Sequence, residues 1–229
     1  MVVAVAVNES KHPLFTLAER MAMVEKAVAH LPHVEADSFG GLLVDYAQEQ
    51  RAVAIVRGAF EYQGQKCSAA SRAIVVASVY DAFVGKIVER VSKLKVGAPE
   101  NGAVYMGPVI NKGSMEKILQ YIEIGIKEGG KLVAGGKRAG SEGYFVEPTV
   151  ISNVDPKATI AQEEIFGPVI AIIKAKDYDH ALEIANNTEF GLTGGVWTKN
   201  KKKQEKAKNE FHSGNFYINR KITGALVGV

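Results

Sequence analysis

The sequence predicts an α/β protein, three layers deep (α/β/α), with helices packed on both faces of a mostly parallel sheet. Three observations lead there. Residues 2–7 are a continuous apolar run, Val-Val-Ala-Val-Ala-Val, as expected of a strand covered on both faces. Further short apolar runs alternate with segments whose apolar residues recur at helical spacing. Gly and Pro clusters punctuate the changes from one pattern to the other. Repeated strand, helix, strand is the rhythm of right-handed crossovers in a parallel sheet.

After the first run, Thr16 is placed to cap a helix that continues to about residue 29, with Glu19 at capping-box spacing. A second strand is expected over 34–39. Gly40 and Gly41 then turn the chain into a helix over 42–48, and the Val-Ala-Ile-Val run predicts a third strand over 52–56, with a helix as the alternative over 52–59. Beyond it, the pattern predicts a short helix over 59–65, a β-branched strand over 72–79 and an amphipathic helix over 80–94. Gly97 and Pro99 stop that helix. A helix over 114–128 ends at Gly129-Gly130, and strands follow over 131–134, 146–153 and 169–174. A helix over 178–186, a strand over 194–198, a basic helix and a strand over 214–218 complete the series. The sheet is Rossmann-like in its alternation, and no long linker or internal repeat divides the chain, so one fused domain is expected.

Composition narrows the function classes. The chain has 229 residues, 47% of them hydrophobic and 23% charged, as in an ordinary globular protein. Its net charge of +3 is too small to argue for nucleic acid. The basic stretch 199–208 contains Glu205 and reads as a solvated helix face. Cys67 stands alone, so no intrachain disulfide can form, which fits a reducing cytoplasm. The apolar start breaks at Asn8-Glu9-Ser10 and lacks a basic leader, so neither a signal peptide nor a membrane span is expected. His30 and His33 are separated by Pro32, which spoils a helical ligand pair, and no metal site is expected. There is no GxGxxG after the first strand, no GxxxxGK[ST] and no GxSxG.

Chemistry first becomes visible at Gly64-Gln-Lys-Cys-Ser-Ala69. A lone cysteine is more often a small buried hydrophobe than a nucleophile. This one follows a glycine and a lysine in a polar loop, a setting that suits an exposed thiol. The string Gly58-Ala-Phe-Glu-Tyr-Gln-Gly-Gln-Lys-Cys67 resembles the catalytic-cysteine segment of aldehyde dehydrogenases. Glu163-Glu-Ile-Phe-Gly-Pro168 and Asn187-Thr-Glu-Phe-Gly-Leu-Thr-Gly-Gly195 resemble two further signatures of that family. Met106-Gly-Pro-Val109, Gly143-Tyr-Phe-Val-Glu-Pro148 and Gly214-Asn-Phe-Tyr-Ile-Asn219 fall in the family's order and spacing. Ser68 and the closing stretch 219–228 are similar to the pyrroline-5-carboxylate (glutamate-semialdehyde) dehydrogenase branch.

The resemblance implies roles. Cys67 is the expected nucleophile, attacking an aldehyde carbon. Glu164 is expected to grip the nicotinamide ribose of NAD, and Phe166 to pack near the nicotinamide. Ser68, Gly224 and Ala225 are expected to hold the substrate carboxylate. It also implies partners that do not occur in these 229 residues. The family's Glu-Leu-Gly-Gly general-base segment, its oxyanion asparagine and its NAD-binding domain have no match, so NAD is not expected to bind tightly.

Residues 2–58 resemble a different family. Ser10-Lys-His-Pro-Leu-Phe-Thr-Leu-Ala-Glu-Arg20, Phe39-Gly-Gly-Leu-Leu-Val-Asp-Tyr46 and Ala54-Ile-Val-Arg-Gly58 are similar to phosphopantetheine adenylyltransferase, a nucleotidyltransferase. There Lys11 would contact phosphates, Arg57 would face the nucleotide, and Leu42 and Leu43 would lie by the pantetheine arm. That family's opening Gly-x-Phe-Asp-Pro and Gly-His segment is absent, so Lys11 and Arg57 are expected as relics. The expectation is an engineered chimera, 1–58 joined to 59–229, acting weakly or not at all on a small aldehyde. A weak oxidoreductase or esterase acting through Cys67 is the alternative, and a nucleotide- or phosphate-binding module the second. No nucleic-acid or membrane partner is expected; self-association through a truncated sheet edge is.

Overall fold

A computed structural model describes residues 2–7, 15–31, 34–40 and 43–224, and Lys11, Leu42 and Ala225 lie outside them. The described chain is α/β, and it divides into two compact units, Met1–Gln50 and Arg51–Val229.

In the first unit, β1 (Val2–Val7) pairs in parallel with β2 (Glu35–Gly40), in register from Val2 against Glu35 to Val7 against Gly40. Helix α1 (Leu17–Val28) makes the crossover. The expected capping box is formed: Thr16 Oγ1 accepts from the Glu19 N–H at 3.3 Å, and the Thr16 N–H donates to the Glu19 carboxylate at 2.7 Å. These bonds from Thr16 hold the Glu19 carboxyl below its ordinary pKa.

Helix α2 (Leu43–Phe60) corrects the expected strand over 52–56. Ala52, Val56, Ala59 and Phe60 are buried and Arg57 is exposed. That is the i, i+4, i+7, i+8 stripe of a helix, whereas a strand would bury alternate residues. A short Val-Ala-Ile-Val run fits either state, and the burial of one helical stripe decides for the helix. The helix expected over 59–65 is likewise replaced by the end of α2 and a 3-10 turn, Glu61–Gly64, in which Tyr62 and Gln63 have left-handed φ of 56° and 58°.

The second unit is built on four strands in the order β3-β6-β5-β4: β3 (Arg72–Val76), β4 (Lys131–Ala134), β5 (Thr149–Ser152) and β6 (Val169–Ala175). β3, β6 and β5 are mutually parallel, and β4 runs antiparallel at the edge. The strand expected to reach residue 79 ends at Val76 in a 3-10 turn, Ala77–Val79. Helices α3 (Tyr80–Val91) and α4 (Lys112–Lys127) are present as expected, and Asn111 caps α4 through a bond from the Ser114 N–H to its Oδ1 at 2.8 Å. The four-residue helix α5 (Thr159–Gln162) has no counterpart in the pattern reading. Helix α6 (Tyr178–Asn186) precedes β7 (Thr193–Val196), which pairs in parallel with β8 (Asn215–Ile218) across the basic helix α7 (Lys201–Glu210).

β6 shows why the unit is layered. Val169, Ala171 and Ile173 join one apolar cluster with Ile118, Ile122 and Ile160. Ile170 and Ile172 join the other, with Val56, Phe60, Ile87 and Val91. Successive strand residues face opposite sides, so a continuous apolar run buries both.

The helical assignment of 52–60 makes a measurable prediction. Val56→Asp places an uncompensated charge in the second cluster and should cost about 3 kcal/mol or more. Arg57→Glu, one residue on, should change stability by less than about 0.5 kcal/mol. Urea unfolding of the two variants checks this; equal costs would contradict a stripe that buries residue 56 and exposes residue 57.

Candidate active site

The chain reaches the thiol through a backbone that only glycine accommodates. Gly64 ends the 3-10 turn at φ +64°, and a Cβ there would lie 2.2 Å from the Gly167 carbonyl oxygen. The turn is thereby wedged against the Glu163–Pro168 segment that leads into β6. Phe166, also left-handed at φ 58°, shapes that segment from the other side.

From this wedge onward, almost every residue around the thiol is fastened. Gln63, with its carboxamide turned to satisfy both ends, accepts from the Gly107 N–H at 2.9 Å and donates to the Tyr62 carbonyl at 3.0 Å. The Gln65 side chain donates to Ser114 Oγ at 2.8 Å and accepts from the Ile110 N–H at 2.9 Å. Lys66 Nζ donates to the Thr223 carbonyl at 2.7 Å. Ser68 Oγ donates to the same oxygen at 3.0 Å. The Ala70 N–H closes the loop onto the Gly58 carbonyl at 2.9 Å. Cys67 alone is exposed and without such a tether, a free thiol on a held loop.

That thiol opens on a cavity of about 490 Å³. Glu163, Glu164, Phe166, Trp197, Arg220 and Lys221 also line it. Glu164 is exposed, and Phe166 leaves 39% of its surface free, so both are available to a ligand. Neighbouring Glu163 accepts from Tyr121 Oη at 2.5 Å, which raises the Tyr121 pKa, and Lys117 Nζ donates to the Glu164 carbonyl at 3.3 Å. Helix α4 therefore holds the backbone of this turn and leaves the Glu164 carboxylate unclaimed. On the cavity wall, Arg72 donates to the Ile184 and Ala185 carbonyls at 3.5 and 3.3 Å, a cation at the C-terminus of α6. Burial pushes its guanidinium pKa down.

The remaining sequence-predicted residues divide. Ser68 is fully buried, its proton spent on Thr223. Gly224 is the next residue along and is exposed. Arg57 is not among the cavity's lining residues. Its charge acts on Tyr105, whose hydroxyl is pushed up to about 12, chiefly by burial and then by Glu61. Among the described residues no cluster of His, Cys, Asp or Glu could hold a metal ion, and no helix is long and apolar enough to cross a membrane. Sequence reasoning missed Gln63, Gln65, Lys66 and Thr223. Three of them sit in the polar Gln-Gly-Gln-Lys string before the thiol, where hydrogen-bonding side chains were the available signal.

The profile of the Aldehyde dehydrogenase family matches residues 41–228, and the chain belongs to that family. It is 53% identical over 214 residues to a 1-pyrroline-5-carboxylate dehydrogenase of Geobacillus sp. (strain WCH70), an alignment that takes in 92% of this chain and 41% of that protein. It is 50% identical over 214 residues to 1-pyrroline-5-carboxylate dehydrogenase 2 of Bacillus subtilis (strain 168), with the same shares covered. The crystal structure of a Thermus 1-pyrroline-5-carboxylate dehydrogenase with bound NAD superposes with a TM-score of 0.76 at 42% identity, over 92% of this chain and 43% of that one. The chain thus spans about two fifths of the length of these curated relatives.

Two outcomes are expected of this geometry. Gly64→Ala must leave the left-handed region or push Gly167 away, and should destabilise the second unit by at least about 2 kcal/mol in chemical denaturation. Iodoacetamide should label Cys67 in the native state at a rate close to that of the denatured chain. Labelling only after unfolding would show that the thiol is covered.

Proposed function

We propose that this chain carries the nucleophile, the carboxylate anchor and the nicotinamide-side residues of an NAD-linked glutamate-semialdehyde (1-pyrroline-5-carboxylate) oxidation site. The observation that carries this reading is the cavity onto which Cys67, Glu164 and Phe166 all open. The relatives' names supply the substrate class. In the proposed chemistry the Cys67 thiolate adds to the aldehyde carbon, forming a C–S bond as the carbonyl π electrons move to oxygen. Exposure of the thiol permits that approach, and sulfur is both soft and a good leaving group. The exposed Glu164 and Phe166 fit the nicotinamide end of NAD, which would accept the hydride that turns this adduct into a Cys67 thioester. Water then cleaves the thioester and returns the thiol. Ser68, Gly224 and Ala225 are assigned to the substrate's carboxylate.

A polypeptide of these 229 residues alone is proposed to turn over little or no aldehyde. Of the two carboxylates lining the cavity among the described residues, Glu163 is held by Tyr121 and Glu164 is assigned to the cofactor, so neither is left as a general base. Lack of a positioned base typically costs about 10²–10⁴ in rate, and of an oxyanion donor about 10²–10³. Tight NAD binding is not proposed. A small activated ester needs no hydride acceptor, and slow acylation of Cys67 is the activity proposed to remain.

Residues 1–58 are further proposed to derive from an adenylyltransferase-like block, joined by design near residue 58. The motifs at 10–20, 39–46 and 54–58 support this, as does the division of the chain at Gln50 and Arg51. Three findings weigh against it: the alignment to the Geobacillus relative takes in 92% of the chain and so reaches well before residue 58, the family profile begins at residue 41, and helix α2 runs through the join unbroken. A genomic reading frame encoding residues 40–70 without interruption would dispose of the engineered origin.

Glutamate semialdehyde with excess NAD, followed at the NADH absorbance, is expected to give no rate above that of Cys67→Ala. p-Nitrophenyl acetate should acylate the native chain and leave Cys67→Ala unmodified. NADH production clearly above the control would show that a base and a cofactor site are complete within these residues.

A further inference from the structure

The assignment of Ser68 and Gly224 to one carboxylate meets a stereochemical obstacle, and the obstacle points to a moving part. In the structure the Thr223 carbonyl faces the thiol loop, taking hydrogen bonds from Lys66 Nζ at 2.7 Å and Ser68 Oγ at 3.0 Å. That carbonyl and the Gly224 N–H belong to one planar trans peptide and point in opposite directions. With the carbonyl turned toward Ser68, the Gly224 N–H is turned away from it. Ser68 and Gly224 therefore cannot donate to the same carboxylate in this conformation. Ser68 also has only one proton to donate, and Thr223 holds it.

We propose that the Thr223–Gly224 peptide is a two-position switch operated by the ligand's carboxylate. In the first position the Thr223 carbonyl occupies the place of a carboxylate oxygen. A carboxylate arriving at Lys66 and Ser68 displaces it, because charge-assisted hydrogen bonds are stronger than those to a neutral carbonyl. The peptide turns over, and the Gly224 N–H comes round as a third donor.

The identity of residue 224 supports the switch. Gly224 is not among the glycines with left-handed φ, and among the described residues a Cβ built there would meet only the Tyr217 hydroxyl, the end of a side chain that can yield, at a close 3.3 Å. Nothing in this conformation strongly requires glycine. Turning a peptide over rotates ψ of the first residue and φ of the second by about 180°, which carries residue 224 toward positive φ, where glycine is favoured. Flanking contacts leave room for a local change: Lys221 Nζ is tied to Glu61 at 2.8 Å, and Asn219 pairs with the backbone of Thr198 at 2.9 and 3.0 Å. The part of the segment before Thr223 can thus stay in place while one peptide moves.

The inference rests on the carboxylate assignment made under the proposed function, and its test separates the two. Glutamate, with isoglutamine, in which a carboxamide replaces the α-carboxylate, as control, is titrated against iodoacetamide labelling of Cys67. Glutamate should protect the wild-type thiol and isoglutamine should not. Gly224→Ala should melt within about 2 °C of wild type yet require at least about tenfold more glutamate for the same protection. Equal protection of wild type and Gly224→Ala would overturn the switch and leave the carboxylate site standing. Absence of glutamate protection in wild type would overturn the site and the switch with it.

A second measurement needs no variant. With 13C-carbonyl threonine and 15N-glycine, only Thr193–Gly194 and Thr223–Gly224 give Thr-Gly cross-peaks. Saturating glutamate should shift the second and leave the first, which lies in β7, in place. An unmoved Thr223–Gly224 peak under conditions where glutamate protects Cys67 would refute the switch.

Discussion

The contact between Gly64 and Gly167 is the constraint on which the candidate site depends. A Cβ at 64 would stand 2.2 Å from a backbone oxygen, so the loop can approach β6 this closely only because residue 64 is glycine at positive φ. The approach links two distant stretches, the end of α2 and the Phe166 turn. It also sets the distance between a thiol on one and the exposed Glu164 and Phe166 on the other. Without it, the cavity they share would have no fixed width.

The wedge is held from behind by the layered core. β6 is buried on both faces, with Ile170 and Ile172 to one side and Ala171 and Ile173 to the other, so the turn that precedes it has little freedom. α2 presses Val56, Ala59 and Phe60 into one of these layers and delivers the chain to Glu61 from a fixed direction. The candidate site is therefore a by-product of packing on a rigid strand, with the exposed thiol of Cys67 on the one loop position left untethered.

Polar contacts finish what packing begins. Lys66 and Ser68 flank the thiol and converge on one carbonyl in a segment that β8 delivers. A buried hydroxyl without a partner would cost about 1–3 kcal/mol, so this oxygen steadies the thiol loop by accepting from buried Ser68.

The sequence by itself determined the α/β class, the positions of most strands and helices, the capping box at Thr16 and the candidacy of Cys67, Glu164 and Phe166. Those features are carried by local periodicity, by short-range hydrogen bonding and by motifs that lie within a few residues of one another. Tertiary structure decided the rest. Residues 52–56 read as a strand because a five-residue apolar run has no intrinsic period, and only the stripe of contacts from Ala52 to Phe60 made it helical. The chain's division into two units followed from which strands pair, β1 with β2 and β3 with β6, and apolar runs do not name their partners. Ser68 was legible as polar and near the thiol, but its burial and its bond to Thr223 span 155 residues of sequence. Separations of that size are bridged by the stacking of strands and helices, and no pattern within a local window records them.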